Sequence, residues 1–161
     1  MKKWVQLFVT FGGLGRLPKA PGTWGSLGAL ALVIPLSSLG IFVYMGITVA
    51  LLIGGILACE YYEAQTGNHD QGHIVIDEVV GILITMTWLP ITWQSLLIGF
   101  VLFRVLDIWK PFPIGYLDRR VQGGLGVMID DVFAGVIASI IMQILYTQTN
   151  LLGAQLVTIS S

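Results

Sequence analysis

The residues of this 161-residue chain that are best suited to chemistry are two pairs of adjacent acids, Asp77-Glu78 and Asp130-Asp131. Each pair stands where a polar segment gives way to an apolar one, so we expect each pair at the mouth of a helix. A helix N-terminus stabilises carboxylates by itself, which is the simpler explanation for a single pair. Two pairs are harder to explain in this way, because neighbouring carboxylates repel at low dielectric unless a cation lies among them. Carboxylate oxygens suit Mg²⁺, so we predict that the two pairs together hold magnesium.

A further group of charges falls on one face of an otherwise apolar segment. Arg104, Asp107 and Lys110 are spaced three residues apart and share much of one helix face. An internally paired, solvated face is the simpler explanation, but ionisable groups on so apolar a helix are functional candidates. Pro111 and Pro113 should end the helix just beyond Lys110.

Two arginines and a run of glycines follow these charges. Arg119 and Arg120 suit bidentate phosphate binding, although they could also serve to keep their loop in the cytoplasm. Gly123 and Gly124 precede the second acidic pair, where backbone N–H groups can approach an anion closely. No Gly-Lys-Ser/Thr follows, so the segment is not a P-loop.

Other segments give weaker signals. Pro21 to Ser26 forms another loop-to-helix junction, with Thr23 or Ser26 as the capping residue. His69 and His73 lie four residues apart, but the glycines around them favour a loop, so a zinc pair is a minority interpretation. Asp70 is a further candidate member of the acidic site.

The motifs that are absent narrow the mechanism. Cys59 is not followed by an arginine at the spacing of a phosphate-cradling loop, and no Asp-x-Asp-x-Thr motif occurs. Two histidines in one loop cannot build a paired-histidine phosphatase. Metal-activated water is therefore the simplest nucleophile.

The composition is that of an integral membrane protein. Hydrophobic residues make up 55% of the chain and charged residues 11%, and mean hydropathy is +0.84. A soluble domain normally carries roughly twice that share of charge. The net charge of −1 gives no indication of nucleic-acid binding. The length suits a single domain over residues 1–161, and Met1 to Phe11 resembles an interfacial anchor more than a cleaved signal.

Uncharged runs between the charge clusters define the membrane segments. The run 20–59 is long enough for two helices with a turn near Pro35 to Gly40, and Val132 to Tyr146 forms one more. The run 79–103 could cross once, which would place several arginines and lysines outside the cell. A hairpin broken at Pro90, with arms of about 18 Å, instead leaves all the charges on the cytoplasmic side. We therefore predict an all-α membrane bundle with a re-entrant hairpin.

Several of these segments resemble the phosphatidylglycerophosphatase A family. The most specific patterns are Arg104-x-x-Asp107-Ile108-x-Lys110-Pro111-x-Pro113-Ile114 and Asp118-Arg119-Arg120-Val121-x-Gly123-Gly124-x-Gly126-x-Met128-x-Asp130-Asp131, closed by Ala134-Gly135. The earlier ones are Pro21-Gly22-Thr23-x-Gly25-Ser26 and His69-Asp70-x-Gly72-x-Ile74-Val75-x-Asp77-Glu78-x-Val80-Gly81. Ile76 departs from the aromatic residue that this family often has before Asp-Glu.

The resemblance implies a Mg²⁺-dependent, all-α lipid phosphatase of bacterial cytoplasmic membranes. Such enzymes convert phosphatidylglycerophosphate into phosphatidylglycerol and inorganic phosphate in phospholipid biosynthesis. By position, the family's invariant acids correspond to Asp77, Glu78, Asp107, Asp130 and Asp131, and its basic residues to Lys110, Arg119 and Arg120.

We therefore expect a multi-pass protein whose active site faces the cytoplasm and acts on a phospholipid held in the bilayer. The expected catalytic residues are Asp107, Asp131 and Lys110, and the metal ligands are Asp77, Glu78, Asp130 and Asp131. The expected substrate-binding residues are Arg104, Lys110, Arg119, Arg120, Gly123, Gly124, Thr23 and Ser26.

Three other functions compete with this one. CDP-alcohol phosphotransfer also uses acids and Mg²⁺ at a membrane, but its longer Asp-Gly signature is missing here. An ion transporter would place its acids in mid-span, whereas these stand at segment ends among basic residues. A purely structural membrane protein leaves the dense run of glycines, acids and arginines unexplained.

Overall fold

The computed structural model describes residues 3–67 and 72–153, and within these ranges the regular secondary structure is helical throughout. The seven α-helices are α1 (Lys3–Val9), α2 (Pro21–Ser37), α3 (Ile41–Thr66), α4 (Ile76–Thr85), α5 (Trp93–Trp109), α6 (Ile114–Arg120) and α7 (Gly123–Gln148). A short 3-10 helix, Leu14–Arg16, joins α1 to α2. The predicted all-α class is confirmed.

Local sequence signals explain several helix ends. Pro21 occupies the first turn of α2, where its missing N–H costs no hydrogen bond. The Thr92 side chain caps α5 by accepting a hydrogen bond from the Ser95 N–H, and at the other end Pro111 follows the C-cap residue Lys110. The turn predicted between the first two long helices is confirmed at residues 38–40, because α2 ends at Ser37 and α3 begins at Ile41. Its predicted start at Pro35 is wrong, since Pro35 lies within α2.

The predicted break at Pro90 is present, but the two arms are unequal. Helix α4 has 10 residues and α5 has 17, so they measure about 15 Å and about 26 Å rather than the expected 18 Å each. The start of α4 lies beside the end of α5, where Arg104 Nη1 is 3.5 Å from Glu78 Oε1. The two helices therefore form a hairpin, in which the start of α4 and the end of α5 lie at the same end of the bundle.

Helix α4 is the central element of the bundle. It packs against α2, α3, α5 and α7. Its apolar side chains are fully buried on several faces, including those of Ile76, Val79, Val80, Ile82 and Leu83. A helix that is apolar all round requires such burial. The carboxyl groups at its start are thus held by the most constrained element of the molecule.

A glycine crossing brings α4 and α7 into close contact. A Cβ atom on Gly135 would lie 2.6 Å from the Gly81 carbonyl oxygen, and one on Gly81 would lie 3.0 Å from the Asp131 carbonyl oxygen. Real Cβ atoms do not approach backbone so closely, so only glycine permits this spacing. The crossing places the first turn of α4 against the acidic segment of α7.

The helix bundle has a charged end and an apolar end, and successive long helices run from one end to the other. The starts of α2, α4 and α7 and the ends of α3 and α5 meet at the charged end. At the apolar end, the Tyr44 hydroxyl donates to the Leu83 carbonyl at 2.7 Å, and Gln143 Nε2 donates to the Thr87 carbonyl at 2.8 Å. The bundle therefore keeps the acids of α4, α5 and α7 together with Arg104 and Lys110 at one end.

Within residues 3–67 and 72–153, two helices, α3 and α7, are long and apolar enough to cross a membrane. Helix α3 exposes large apolar side chains along its length, among them Phe42, Val49, Ile53 and Leu57. A soluble protein rarely leaves so continuous an apolar surface in water. These features indicate a membrane protein.

Candidate active site

Five carboxyl groups from three helices converge at the charged end of the bundle. Oxygen atoms of Asp77, Glu78 and Asp131 lie within 4.8 Å of one another, and so do those of Asp107, Asp130 and Asp131. Asp131 belongs to both groups. The structure therefore brings together all five acids that the sequence singled out.

The position of the second acidic pair within its helix differs from the prediction. Helix α7 begins at Gly123 rather than at Val132, so Asp130 and Asp131 lie two turns inside it and not at its mouth. The four glycine and leucine residues of 123–126 form the first turn, because packing against α3 overrides their weak helix propensity. Helix-end stabilisation therefore explains Asp77-Glu78 in the first turn of α4, but not Asp130-Asp131.

A polar cavity of about 340 Å³ gives access to these carboxyl groups. Its lining consists of Gly72, Ile74, Asp77, Glu78, Asp107, Lys110, Asp118, Gly126, Val127, Asp130 and Asp131. Asp77, Asp130 and Asp131 are 9%, 7% and 3% exposed. Buried carboxylates in such number require compensating cations.

Lys110 supplies one cation at the edge of the cavity. It follows α5 in a left-handed conformation, so it is not on the helix face that the spacing suggested. Its Nζ donates to Asp118 Oδ1 at 2.7 Å and to Asp130 Oδ2 at 2.6 Å. Burial lowers the pKa of this ammonium, but the hydrogen bonds to the two carboxylates outweigh burial and hold the pKa above its usual value. Lys110 is thus a fixed positive charge at neutral pH.

Arg104 supplies a second cation on the other side of the acids. Its Nη1 donates to Asp107 Oδ2 at 2.5 Å and lies 3.5 Å from Glu78 Oε1. The internally paired face considered for this segment is therefore present for Arg104 and Asp107. Arg104 is not in the lining of the cavity, so its expected contact with substrate stays a prediction, whereas its contact with the acids is observed.

Lys110 and Arg104 only partly balance the negative charge of Asp77 and Glu78 at the start of α4. Burial raises the pKa of Asp77 well above its usual value, and the neighbouring Glu78 carboxylate raises it further. Burial also raises the pKa of Glu78 to about 8, although Asp77 and Arg104 act against it. Acids in such surroundings ionise fully only when further positive charge is bound.

The first turn of α2 packs closely against the site because Gly22 has no side chain. A Cβ atom on Gly22 would lie 1.9 Å from Glu78 Oε1 and 3.1 Å from Arg104 Nη1. The junction predicted at Pro21 is confirmed, but the predicted cap is wrong. Ala20 is the N-cap, without a side-chain hydrogen bond. The Ser26 hydroxyl donates to the Gly22 carbonyl inside the helix because Ser26 lies beyond the first turn.

An acid that the sequence did not assign to the site fixes the start of α7. Glu60 Oε2 accepts a hydrogen bond from the Gly124 N–H at 2.6 Å. This carboxylate therefore occupies the anion position that the glycines suggested for the substrate. Asp118 is a second unassigned acid, since it lines the cavity and binds Lys110. The sequence signal for Asp118 is its position directly before Arg119 and Arg120, whereas Glu60 lies between Cys59 and Tyr61 and has no such signal.

The remaining predicted residues lie outside the cavity or outside the described residues. Arg119 and Arg120 are exposed at the end of α6, and the Arg120 guanidinium lies over the Tyr116 ring at 5.4 Å from its centroid. Thr23 is half-buried in α2. His69 and Asp70 lie outside the described residues. The ring nitrogen Nε2 of His73 shares a 2.6 Å hydrogen bond with the Tyr62 hydroxyl.

The donor set fits a hard divalent cation. Every candidate ligand atom is a carboxylate oxygen, and the buried Glu78 Oε2 makes no hydrogen bond to any described residue. Such an oxygen is costly to bury unless a cation binds it. The acidic cluster could therefore bind a metal ion. Fold and site together define a helical protein with an acidic, metal-suited cavity at one end of an apolar bundle.

Comparison with known proteins identifies the family. The family model for phosphatidylglycerophosphatase A matches residues 7–146. A phosphatidylglycerophosphatase A of Haemophilus influenzae is 45% identical over 132 residues, covering 81% of each chain. One of Escherichia coli is 44% identical over 142 residues, covering 84% of this chain and 79% of the relative. No solved structure matches the chain significantly.

A third relative has a different name. A protein of Bacteroides thetaiotaomicron, provisionally named a phosphatidylinositol-3-phosphatase, is 37% identical over 140 residues, covering 82% of this chain and 87% of that one. This chain belongs to the phosphatidylglycerophosphatase A family. It is accordingly a phosphatase, and the resemblance found in its sequence motifs is confirmed.

Proposed function

We propose that this protein removes the terminal phosphate of phosphatidylglycerophosphate, giving phosphatidylglycerol and inorganic phosphate, in a Mg²⁺-dependent reaction of phospholipid biosynthesis. The observation that carries this proposal is the convergence of five carboxyl groups and Lys110 in one cavity. Family membership supplies the substrate, because the two relatives with the highest identity given above are named for it.

The acidic and basic groups of the cavity would have different roles, and the acids would bind the metal and accept a proton. Asp77, Glu78, Asp130 and Asp131 would hold Mg²⁺, which supplies Lewis-acid polarisation of the phosphoryl group and a more acidic water molecule. Asp107 is oriented by Arg104 and would accept a proton from the attacking water. Asp131 is the acid best placed to act in both of these tasks.

Basic groups would neutralise the substrate and the charge that develops in the transition state. Lys110 is fixed at the cavity edge by Asp118 and Asp130, so it can meet a phosphate oxygen without reorganisation. Arg119 and Arg120 would bind the headgroup from the exposed end of α6. Gly123, Thr23 and Arg104 remain proposed contacts of the bound substrate, whereas the Gly124 N–H is already bound by Glu60 and the Ser26 hydroxyl by the Gly22 carbonyl.

The membrane arrangement is part of the same proposal. We place α2, α3 and α7 across the bacterial cytoplasmic membrane, with the α4–α5 hairpin re-entering from the cytoplasmic side. Arg104 and Lys110 at the charged end favour the cytoplasm, in keeping with the positive-inside rule. The acyl chains of the substrate would then stay in the leaflet while its phosphate reaches the cavity.

The testing experiment measures phosphate release by the purified protein in detergent, with Mg²⁺ and with excess EDTA. We expect Mg²⁺-dependent release from phosphatidylglycerophosphate and little from phosphatidic acid. Phosphatidylinositol 3-phosphate is the third substrate, because one relative is named for it. Release from that lipid alone would overturn the proposed substrate, and release that EDTA leaves unchanged would overturn the metal dependence.

Substitution of Asp131 is the most direct test of the acidic site. We expect Asp131→Asn to lower phosphate release by at least about 10³-fold, because it removes charge from both groups of acids. The protein should still insert into membranes and elute as the wild type does, since the amide has nearly the same volume. Wild-type activity in this variant would remove Asp131 from the site.

A further inference from the structure

Asp131 lies where two potential cation positions meet. One group of ligand atoms comes from Asp77, Glu78 and Asp131, and the other comes from Asp107, Asp130 and Asp131, each within 4.8 Å. Helix α4 supplies the other two acids of the first group, α5 supplies Asp107, and α7 supplies both Asp130 and the shared Asp131. Enzymes that hold two divalent cations keep them about 3.5–4 Å apart, close enough for one carboxylate to contact both.

Two observations independent of this spacing indicate missing positive charge. The Glu78 Oε2 atom is buried and has no hydrogen-bond partner among the described residues. The Asp131 side chain is only 3% exposed, and no arginine or lysine of the described residues lies within salt-bridge distance of it. The oxygen atoms within 4.8 Å of its carboxylate include those of Asp77, Glu78, Asp107 and Asp130. Burying such groups is costly unless cations bind them.

We propose that the cavity holds two divalent cations that share the Asp131 carboxylate as a bridging ligand. The first position is formed by Asp77, Glu78 and Asp131, and the second by Asp107, Asp130 and Asp131. This inference rests on the metal dependence of the proposed function and adds the number of ions and the ligand between them.

Arg104 and Lys110 compete with metal ions for the acids, and they compete more strongly at the second position than at the first. At the second position, Asp107 is already bound to Arg104 at 2.5 Å and Asp130 to Lys110 at 2.6 Å. At the first position, Asp77 accepts a hydrogen bond from the Glu78 backbone N–H, and Arg104 is 3.5 Å from Glu78. The first position therefore binds its cation more tightly, and the second follows at least about tenfold more weakly.

The experiment counts ions rather than turnover. The purified full chain in detergent is titrated with Mn²⁺ alone, and free Mn²⁺ is measured by electron paramagnetic resonance. We expect two Mn²⁺ per chain, and at saturation a spectrum of two magnetically coupled ions, because they lie a few ångströms apart. A single Mn²⁺ per chain, or two uncoupled ions, would overturn the proposal.

Three variants locate the bridging ligand. Asp107→Asn should retain only the tighter Mn²⁺ and lose the coupled spectrum, whereas Asp131→Asn should weaken both. Glu60→Gln is the matched control, because Glu60 belongs to neither group, and it should bind two. Coupled ions in Asp131→Asn would overturn the bridging role. Should a variant fail to elute as the wild type does, the stoichiometry and coupling of the wild-type protein decide alone.

Failure of this inference can be told apart from failure of the proposed function. Mg²⁺-dependent release of phosphate from phosphatidylglycerophosphate with one Mn²⁺ per chain would retain the function and overturn the two-ion centre. Two coupled ions without phosphate release from that lipid would retain the centre and overturn the substrate.

Discussion

At the residue scale, the carboxyl groups of the cavity are positioned by contacts with uncharged or oppositely charged neighbours from other helices. Glu78 lies against Gly22 of α2 and near Arg104 of α5. Asp130 is tied to Lys110, which is itself tied to Asp118. The positions of the acids therefore depend on Gly22, Arg104 and Lys110, which belong to other segments of the chain.

Gly22 provides a test of this dependence. Gly22→Ala places a methyl group 1.9 Å from the present position of Glu78 Oε1 and 3.1 Å from Arg104 Nη1, so the carboxylate must leave its present position. We expect kcat for phosphate release to fall at least about tenfold, which corresponds to about 1.4 kcal/mol of transition-state stabilisation. The measurement is steady-state phosphate release at saturating lipid.

Gly46→Ala is the matched control for that substitution. Gly46 is exposed on α3, and a Cβ atom there would meet nothing within 4 Å. We expect unchanged turnover and, because alanine favours helix, a gain of about 0.5–1 kcal/mol in stability. Equal turnover in both alanine variants would contradict the role of Gly22 in positioning Glu78.

At the element scale, the start of α7 depends on an acid at the end of α3. The Glu60 carboxylate accepts the Gly124 N–H, and that turn of α7 leads directly to Gly126 and Val127 in the cavity lining. Packing between α3 and α7 thus extends the last helix upstream to Gly123. The glycine-rich segment is thereby held in a helix that its own composition disfavours.

Replacing this acceptor should loosen the first turn of α7. We expect Glu60→Ala to lower the free energy of unfolding by about 1 kcal/mol, a typical loss for a helix cap, and to reduce turnover. The measurement is thermal unfolding in detergent followed by circular dichroism, alongside phosphate release. Glu60→Gln keeps an acceptor oxygen and should stay close to the wild type. Identical unfolding of the two variants would show that the Gly124 contact does not stabilise α7.

At the scale of the whole molecule, the bundle separates charge from apolar surface. The five acids of the candidate site, Arg104 and Lys110 lie at one end, and exposed apolar side chains cover α3 along its length. Such a division suits a lipid phosphatase, because the phosphate of its substrate lies at the membrane surface and the acyl chains lie below it. It also predicts which end of the bundle faces the cytoplasm.

Cysteine labelling tests that orientation. In a Cys59→Ser background, Gln122→Cys at the charged end should react with a membrane-impermeant maleimide in inside-out vesicles and not in intact spheroplasts. Gln122 is exposed at the cap of α7. Leu39→Cys is the control at the opposite end, where Leu39 is 55% exposed, and it should show the reverse pattern. The opposite result for both positions would place the site outside the cytoplasm.

The sequence by itself determined the helical class, the break at Pro90 and the five acids of the site. These features depend on local chemistry: apolar runs must form helices in a membrane, proline interrupts them, and acids in apolar surroundings are rare enough to be conspicuous. The same reasoning placed Asp77 and Glu78 correctly in the first turn of α4.

Only the tertiary structure decided how these elements meet. The upstream start of α7, the Gly81–Gly135 crossing and the Glu60 cap all depend on contacts between helices far apart in sequence. The local sequence pattern could not place Asp131 between Asp77 and Asp107, because their proximity depends on how far α4, α5 and α7 are shifted along one another in the bundle. Packing of α7 against α4 and α3 fixes these shifts and thereby assembles the acidic site.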